Sequence, residues 1–88
     1  MDDHTLLNQL EELAQRLTID IRYVTIRQGD FLATGGVCRI NDTYIVVMNK
    51  KSTVQDKIQT LVRAIKRFDL STVYLRPALR EFFEMLPE

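Results

Sequence analysis

The strongest structural signal in this 88-residue chain is the run Thr-Tyr-Ile-Val-Val-Met at positions 43–48, which is rich in β-branched and apolar residues. It follows Asn41-Asp42, two residues that tolerate the positive φ angles of a tight turn, and a shorter apolar stretch over residues 37–40. We therefore predict a β-hairpin over residues 37–48. Because the run at 43–48 hardly alternates with polar residues, we expect its strand at the centre of a sheet, covered on both faces.

Apolar residues at helical spacing predict an amphipathic helix on each side of this hairpin. The first covers residues 6–17, and Asp2, Asp3 or Thr5 can cap it. Ser52, followed three residues later by Gln55, predicts a capping box at the start of the second helix. The apolar face of that second helix consists of Val54, Ile58, Leu61, Val62, Ile65 and Phe68.

A third helix is predicted at the C-terminal end of the sequence. Pro77 fits its first position, where the missing N–H of proline costs nothing, and Pro87 ends it. Its predicted apolar face contains Ala78, Leu79, Phe82, Phe83 and Leu86.

The remaining segments are shorter. Ile19, Ile21 and Tyr23 alternate with polar residues, which predicts a half-buried strand. Val24 and Ile26 break that alternation, so we expect a bulge or a strand end there. Further expectations are a turn at residues 28–30, an ambiguous segment at 31–34, a backbone bend at Gly35-Gly36, and an extended segment at 69–75 with Val73 and Leu75 pointing inward.

These elements place the chain in the α+β class, in the order α-β-β-β-α-(β)-α. We predict a small, mostly antiparallel sheet of three to four strands that contains the hairpin and is packed by three helices. Eighty-eight residues, 45% of them hydrophobic, are enough for one core and too few for two, so we expect a single domain over residues 1–88.

Charge constrains the partners that this chain can have. Twelve basic and twelve acidic residues cancel, so the net charge indicates no polyanionic partner. Cations nevertheless collect on and before the second helix, which makes nucleic-acid binding through residues 52–67 an alternative function. No aromatic residue is interleaved with these cations, which disfavours that alternative. The candidate patch consists of Lys50, Lys51, Arg63, Lys66 and Arg67.

No pattern of reactive residues predicts catalysis. His4 and Cys38 are the only histidine and cysteine, so no cluster of metal-ligating side chains forms and we expect no metal and no cofactor. Glu11 and Glu12 are adjacent on a helix and point in different directions, which does not suit paired acid–base work. Gly35-Gly36 lacks the remainder of a phosphate-binding loop. We predict no catalytic residue, and an enzyme of unrecognised type is the remaining alternative.

The order and spacing of residues 6–68 resemble the compact zincin-like domain of the ImmA/IrrE metallopeptidases. The segments of this chain that carry the resemblance are LNQLEELAQRL, TIDIRYVTI and GGVCRINDTYIVVMNKKST. Where that family carries His-Glu-x-x-His, this chain reads TLVRAIKRF, with Arg63 and Arg67 at the ligand positions and Ala64 at the glutamate position. The resemblance therefore implies a metal-free, inactive relative. The tail STVYLRPALREFFEMLPE resembles small uncharacterised bacterial proteins.

We therefore expect a non-enzymatic protein-interaction or regulatory module. Tyr74 and Met85 lie off the predicted apolar stripes, which makes the C-terminal segment a candidate partner surface and a homodimer an open alternative. A lone cysteine and the absence of an apolar leader or an 18-residue apolar run predict a cytoplasmic protein that neither enters nor crosses a membrane.

Overall fold

The computed structural model describes residues 1–25 and 35–87, which form three helices and three strands. In chain order the elements are α1 (Asp3–Arg16), β1 (Asp20–Val24), β2 (Gly35–Ile40), β3 (Thr43–Asn49), α2 (Val54–Ile65) and α3 (Pro77–Glu84). The predicted α+β class is confirmed. The optional strand at 69–75 is not formed, because this segment folds into turns. The predictions for Ile26, for residues 28–30 and for residues 31–34 lie outside the described residues.

Strand β3 lies at the centre of a three-stranded sheet of order β1-β3-β2, as its apolar sequence predicted. Strand β1 pairs with it in parallel, with Asp20 opposite Ile45, and β2 pairs with it antiparallel, with Cys38 opposite the same residue. The sheet is therefore mixed, with one pairing of each kind. Val46 is buried against the helices and Ile45 is buried on the opposite face, where Val47 is only half-buried. The predicted cover is therefore complete on the helix side of β3 and partial on the other side.

The β2–β3 hairpin has the predicted tight turn. Asn41 and Asp42 have φ angles of 51° and 67°, the left-handed conformation that both central residues of a type I′ turn adopt. A guanidinium nitrogen of Arg39 lies 2.9 Å from a carboxylate oxygen of Asp42 across the turn. Strand β2 begins two residues earlier than predicted. Gly35 and Gly36 pair with β3, so the predicted bend lies within a strand.

The core fills the space between one face of the sheet and the two longer helices. Alternation on β1 is confirmed, since Ile21 and Tyr23 pack against this core and β1 ends at Val24. The buried apolar residues of the cluster are Leu6, Leu7, Leu10, Leu13, Ala14, Ile19, Val46, Met48, Ile58, Leu61, Ala64, Ile65, Leu75 and Leu79.

Helix α1 ends in a strained cap at Thr18. The N–H of Thr18 donates to the carbonyl of Gln15 (3.0 Å) and the N–H of Ile19 donates to that of Ala14 (2.9 Å), which is the Schellman pattern. This pattern places Thr18 at a φ of 60°, where a β-branched residue is unfavourable and glycine is usual. The cap directs the chain from α1 into β1.

The helix starts differ from prediction at one position. Asp2 caps α1 by accepting a hydrogen bond from the N–H of Thr5 (2.8 Å). Helix α2 is capped by Thr53, which accepts from the N–H of Asp56 (3.1 Å), so the predicted capping box at Ser52 is wrong. Ser52 instead belongs to the preceding turn, where its N–H donates to the carbonyl of Asn49.

Helix α3 begins at Pro77, as predicted. Leu79 is buried and Phe82 and Phe83 are half-buried, but Ala78 is exposed and does not belong to the apolar face. Across residues 1–25 and 35–87, no helix is long and apolar enough to span a membrane.

Candidate interaction surface

A groove of about 390 Å³ lies between α2 and the end of α3. Its floor is apolar, and its rim is formed by polar and cationic side chains of α2. The lining residues are Gln55, Ile58, Gln59, Val62, Arg63, Lys66, Phe82 and Leu86. We call this feature the α2–α3 groove.

Helical spacing explains why these side chains meet. Gln55, Gln59, Val62 and Lys66 recur every three to four residues and so share one side of α2. This side is adjacent to the buried stripe, which leaves Val62 half-exposed in the groove instead of wholly in the predicted core. The stripe from Gln55 to Lys66 rises roughly 16 Å, the length of about three helical turns.

Arg63 and Lys66 are the charged residues of the groove, and its lining includes no acid. The ammonium group of Lys66 donates a hydrogen bond to the carbonyl of Pro87 (3.2 Å), which holds it beside the end of α3. Arg63 is exposed and has no hydrogen-bond or ion-pair partner among residues 1–25 and 35–87. The groove thus combines apolar surface with the positive charges of Arg63 and Lys66.

The predicted basic patch divides into two parts. Arg63 and Lys66 line the groove, and Arg67 is exposed just after α2 without lining it. Lys50 and Lys51 are exposed in the turn before α2. Since a helix of 12 residues is roughly 18 Å long, these two lysines lie far from the other three cations.

The two candidate residues of the C-terminal segment are also separated. Tyr74 is 64% exposed, and its carbonyl accepts a hydrogen bond from the Arg16 guanidinium (2.9 Å). It therefore lies beside α1. Met85 is 84% exposed and directly follows α3, close to Phe82 and Leu86 in sequence and hence to the α2–α3 groove.

A second hollow, of about 310 Å³, lies on the other side of α3. Its lining contains one cation and one anion, Arg80 and Glu84, so it has no net charge to select a partner. The remaining lining residues are Leu70, Ser71, Val73, Leu75 and Phe83. Val73 is half-buried and Leu75 is buried, which confirms the predicted inward positions of both residues.

The acidic pair of α1 has structural partners. Glu11 accepts a hydrogen bond from the hydroxyl of Tyr23, and a carboxylate oxygen of Glu12 lies 3.4 Å from a guanidinium nitrogen of Arg76. The two carboxylates point to different elements, as their adjacency predicted. In the described part of the chain, no group of three or more His, Cys, Asp or Glu residues is arranged to hold a metal ion.

The three positions at which the metallopeptidase family has its motif differ in burial. Arg63 and Arg67 are exposed, whereas Ala64 is buried in the core. Comparisons with protein families, with curated proteins and with solved structures find no match. The resemblance therefore stays a prediction from the sequence.

Sequence reasoning identified the two cations of the groove but not its floor. The available signal was Val62, which lies one residue after the core position Leu61 and so widens the apolar arc of α2 beyond one stripe. An apolar arc of this width on α2 contacts the core on one side and lines the groove on the other. That α3 stands at the distance that opens a groove is a tertiary property, and no local pattern encodes it.

Proposed function

We propose that this chain is a non-enzymatic protein-interaction module and that the α2–α3 groove is its binding site. The observation that carries the proposal is the combination of an apolar floor with Arg63 and Lys66 on the rim. Apolar area provides most of the free energy of association, and a charge at the edge selects the partner and its orientation.

The shape of the groove supports a protein segment as its occupant. An amphipathic helix binds in an apolar groove through side chains at positions i, i+3, i+4 and i+7, which span roughly 10 Å. The α2 side of the groove is longer than that, so it accommodates two to three turns of a partner helix. A complementary partner carries apolar side chains flanked by at least one carboxylate.

A nucleic-acid partner has less support. Phosphate contacts need several cations that act together, and Lys50 and Lys51 are at the opposite end of α2 from Arg63 and Lys66. The groove floor is apolar, and its single aromatic residue, Phe82, packs edge-on against Phe83 with ring centroids 5.4 Å apart.

The exposed thiol of Cys38 suits a reducing compartment, so we propose that the module acts in the cytoplasm.

The test is binding by matched charge variants. The wild-type protein, Arg63→Glu and Arg67→Glu are each used to capture binding proteins, and a captured protein is then purified and its affinity measured directly. We expect Arg63→Glu to weaken binding at least tenfold and Arg67→Glu, which lies outside the groove, to leave it within twofold. Hydrogen exchange should show protection of α2 residues 55–66 in the complex.

Two results would contradict the proposal. One is a purified complex whose affinity is the same for both variants. The other is retention of the protein on immobilised nucleic acid that is abolished by salt, and by Arg67→Glu as much as by Arg63→Glu. That result would identify the exposed cations, and not the groove, as the binding site.

A further inference from the structure

The outer side of α3, next to the groove, carries an apolar side chain beside an acid. Met85 has the largest exposed fraction, 84%, among the large apolar residues that the structure describes. Glu81 lies four residues earlier, so the two side chains share one side of the helix. Glu81 is exposed, and its carboxylate has no partner among the described residues.

This pair adjoins the groove without belonging to it. Met85 follows the groove residue Phe82 by three positions, which is an offset of about 60° around the helix. Met85 is therefore directed out of the mouth of the groove and does not fill it. The protein presents a convex feature (Glu81 and Met85) and a concave one (the groove) on the same side of the molecule.

The two features are complementary in chemistry. The convex feature has an apolar side chain and a negative charge, and the groove has an apolar floor and the positive charges of Arg63 and Lys66. When two complementary features lie on one face, a two-fold axis brings each onto its counterpart in a second copy. Each copy then contributes both features, and two identical contacts form.

We propose that the occupant of the α2–α3 groove is a second copy of this chain. Met85 of one copy enters the groove of the other, and Glu81 faces the partner's Arg63 and the partner's Lys66. This inference rests on the proposed function, because it uses the same groove, and it names the partner. The face consists of one eight-residue helix and the groove lining, which is less than a standard interface, so the dimer is weak and depends on concentration.

The test uses sedimentation equilibrium of the purified full chain from micromolar to millimolar concentration. The wild-type mass should rise towards that of a dimer. Met85→Lys, Arg63→Glu and Glu81→Lys should each weaken the dimer at least tenfold, because each places like charges against one another at both contacts. Arg67→Glu and Lys50→Glu are charge-reversal controls outside the contact and should leave the dimer within about twofold.

Mixing two variants separates a loss of contact from a loss of folding. In an equimolar mixture of Arg63→Glu and Glu81→Lys proteins, position 81 of each copy meets an opposite charge at position 63 of the other. The heterodimer should form at least tenfold more tightly than either homodimer. Circular dichroism of the single variants should show wild-type helix content and unfolding midpoints.

Three outcomes overturn this inference: a monomer mass that persists at millimolar concentration, a dimer that Met85→Lys does not weaken, and a variant mixture that stays as monomeric as its components. The proposed function fails separately, when groove variants leave the affinity for a different purified protein unchanged. A monomer whose groove still binds another protein removes the second copy as the occupant and leaves the groove as the site.

Discussion

The hydroxyl of Tyr23 on β1 donates a hydrogen bond to the carboxylate of Glu11 on α1. The ammonium group of Lys57, on α2, lies 5.8 Å from the centroid of the Tyr23 ring, a cation–π distance. One aromatic side chain thus connects a strand to both of the helices that pack on the sheet. Burial, together with the hydrogen bond to the Glu11 carboxylate, raises the pKa of the Tyr23 hydroxyl well above its usual range.

This raised pKa predicts a specific loss of stability in alkali. In the unfolded chain the Tyr23 hydroxyl ionises near pH 10, whereas in the folded protein it stays neutral at that pH. The contribution of the neutral hydroxyl to the free energy of unfolding is therefore complete below about pH 10 and declines as the pH rises further. Urea unfolding of the wild type and Tyr23→Phe at several pH values tests this. The wild-type free energy of unfolding should fall more steeply above pH 10 than that of Tyr23→Phe. Equal slopes would contradict it, and Tyr74→Phe, at an exposed position, should behave as the wild type.

The cap of α1 predicts a stabilising substitution. Thr18 has a φ of 60°, which costs roughly 1–2 kcal/mol for a residue with a Cβ atom. Thr18→Gly removes that cost but makes the unfolded chain more flexible, so we expect a net gain of up to about 1 kcal/mol. Thr18→Ala keeps the Cβ atom and should change stability by less than about 0.5 kcal/mol. The denaturation midpoints of both variants test this prediction. A glycine variant less stable than the alanine variant would show that the positive φ of Thr18 stores no strain.

Replacing Gln9 on α1 should give a second gain in stability. Its side-chain oxygen is buried, and it has no hydrogen-bond partner within the described ranges. An unsatisfied buried polar atom costs roughly 1–3 kcal/mol, so Gln9→Met, of similar shape, should raise the free energy of unfolding by about 1 kcal/mol. Gln15→Met on the exposed side of the same helix is the control and should be neutral. Loss of stability in Gln9→Met would contradict the prediction.

Helix α2 should respond differently on its two sides. Leu61 is 0% exposed in the core, so Leu61→Ala should cost roughly 2–5 kcal/mol through lost burial and the cavity that remains. Lys66 is exposed, and Lys66→Ala should cost under about 0.5 kcal/mol. Thermal melts that ranked the two variants in the opposite order would show that the buried side of α2 is assigned to the wrong residues.

The purified, tag-free protein should contain no stoichiometric zinc. Arg63 and Arg67 stand at the positions where the similar metallopeptidase sequence pattern has its ligands, and an arginine side chain is not a usual zinc ligand. Elemental analysis by mass spectrometry measures the metal content directly. One equivalent of a transition metal per chain would contradict the prediction and would require ligands other than these two residues.

Local patterns predicted the elements that local interactions determine. Asn41 and Asp42 predict a type I′ turn because the backbone angles of the turn depend on those two residues alone. The start of α2 was misplaced by one residue because Ser52 and Thr53 are each followed three residues later by a side chain that suits a helix start. Only the backbone conformation, with Thr53 extended, distinguishes the two.

Long-range features were less accessible from the sequence. The residues of β1 do not determine that it pairs with β3 in parallel and not with β2, because the alternation of Ile21 and Tyr23 fixes which face is buried and leaves the neighbouring strand open. The edge-to-face contact between Tyr44 on β3 and Phe68 beyond α2, with ring centroids 5.2 Å apart, likewise depends on how the elements pack. The α2–α3 groove has the same origin, since it depends on where the segment after α2 places α3.

The position of β3 between two strands that precede it in the chain has a consequence for biosynthesis. On the ribosome, α1, β1 and β2 are all translated before the strand that joins them, and α2, which completes the core, follows later still. The core between α1, the sheet and α2 therefore cannot be completed on the nascent chain before residues up to about Ile65 have left the exit tunnel. Until then the nascent chain lacks the helix that completes this core.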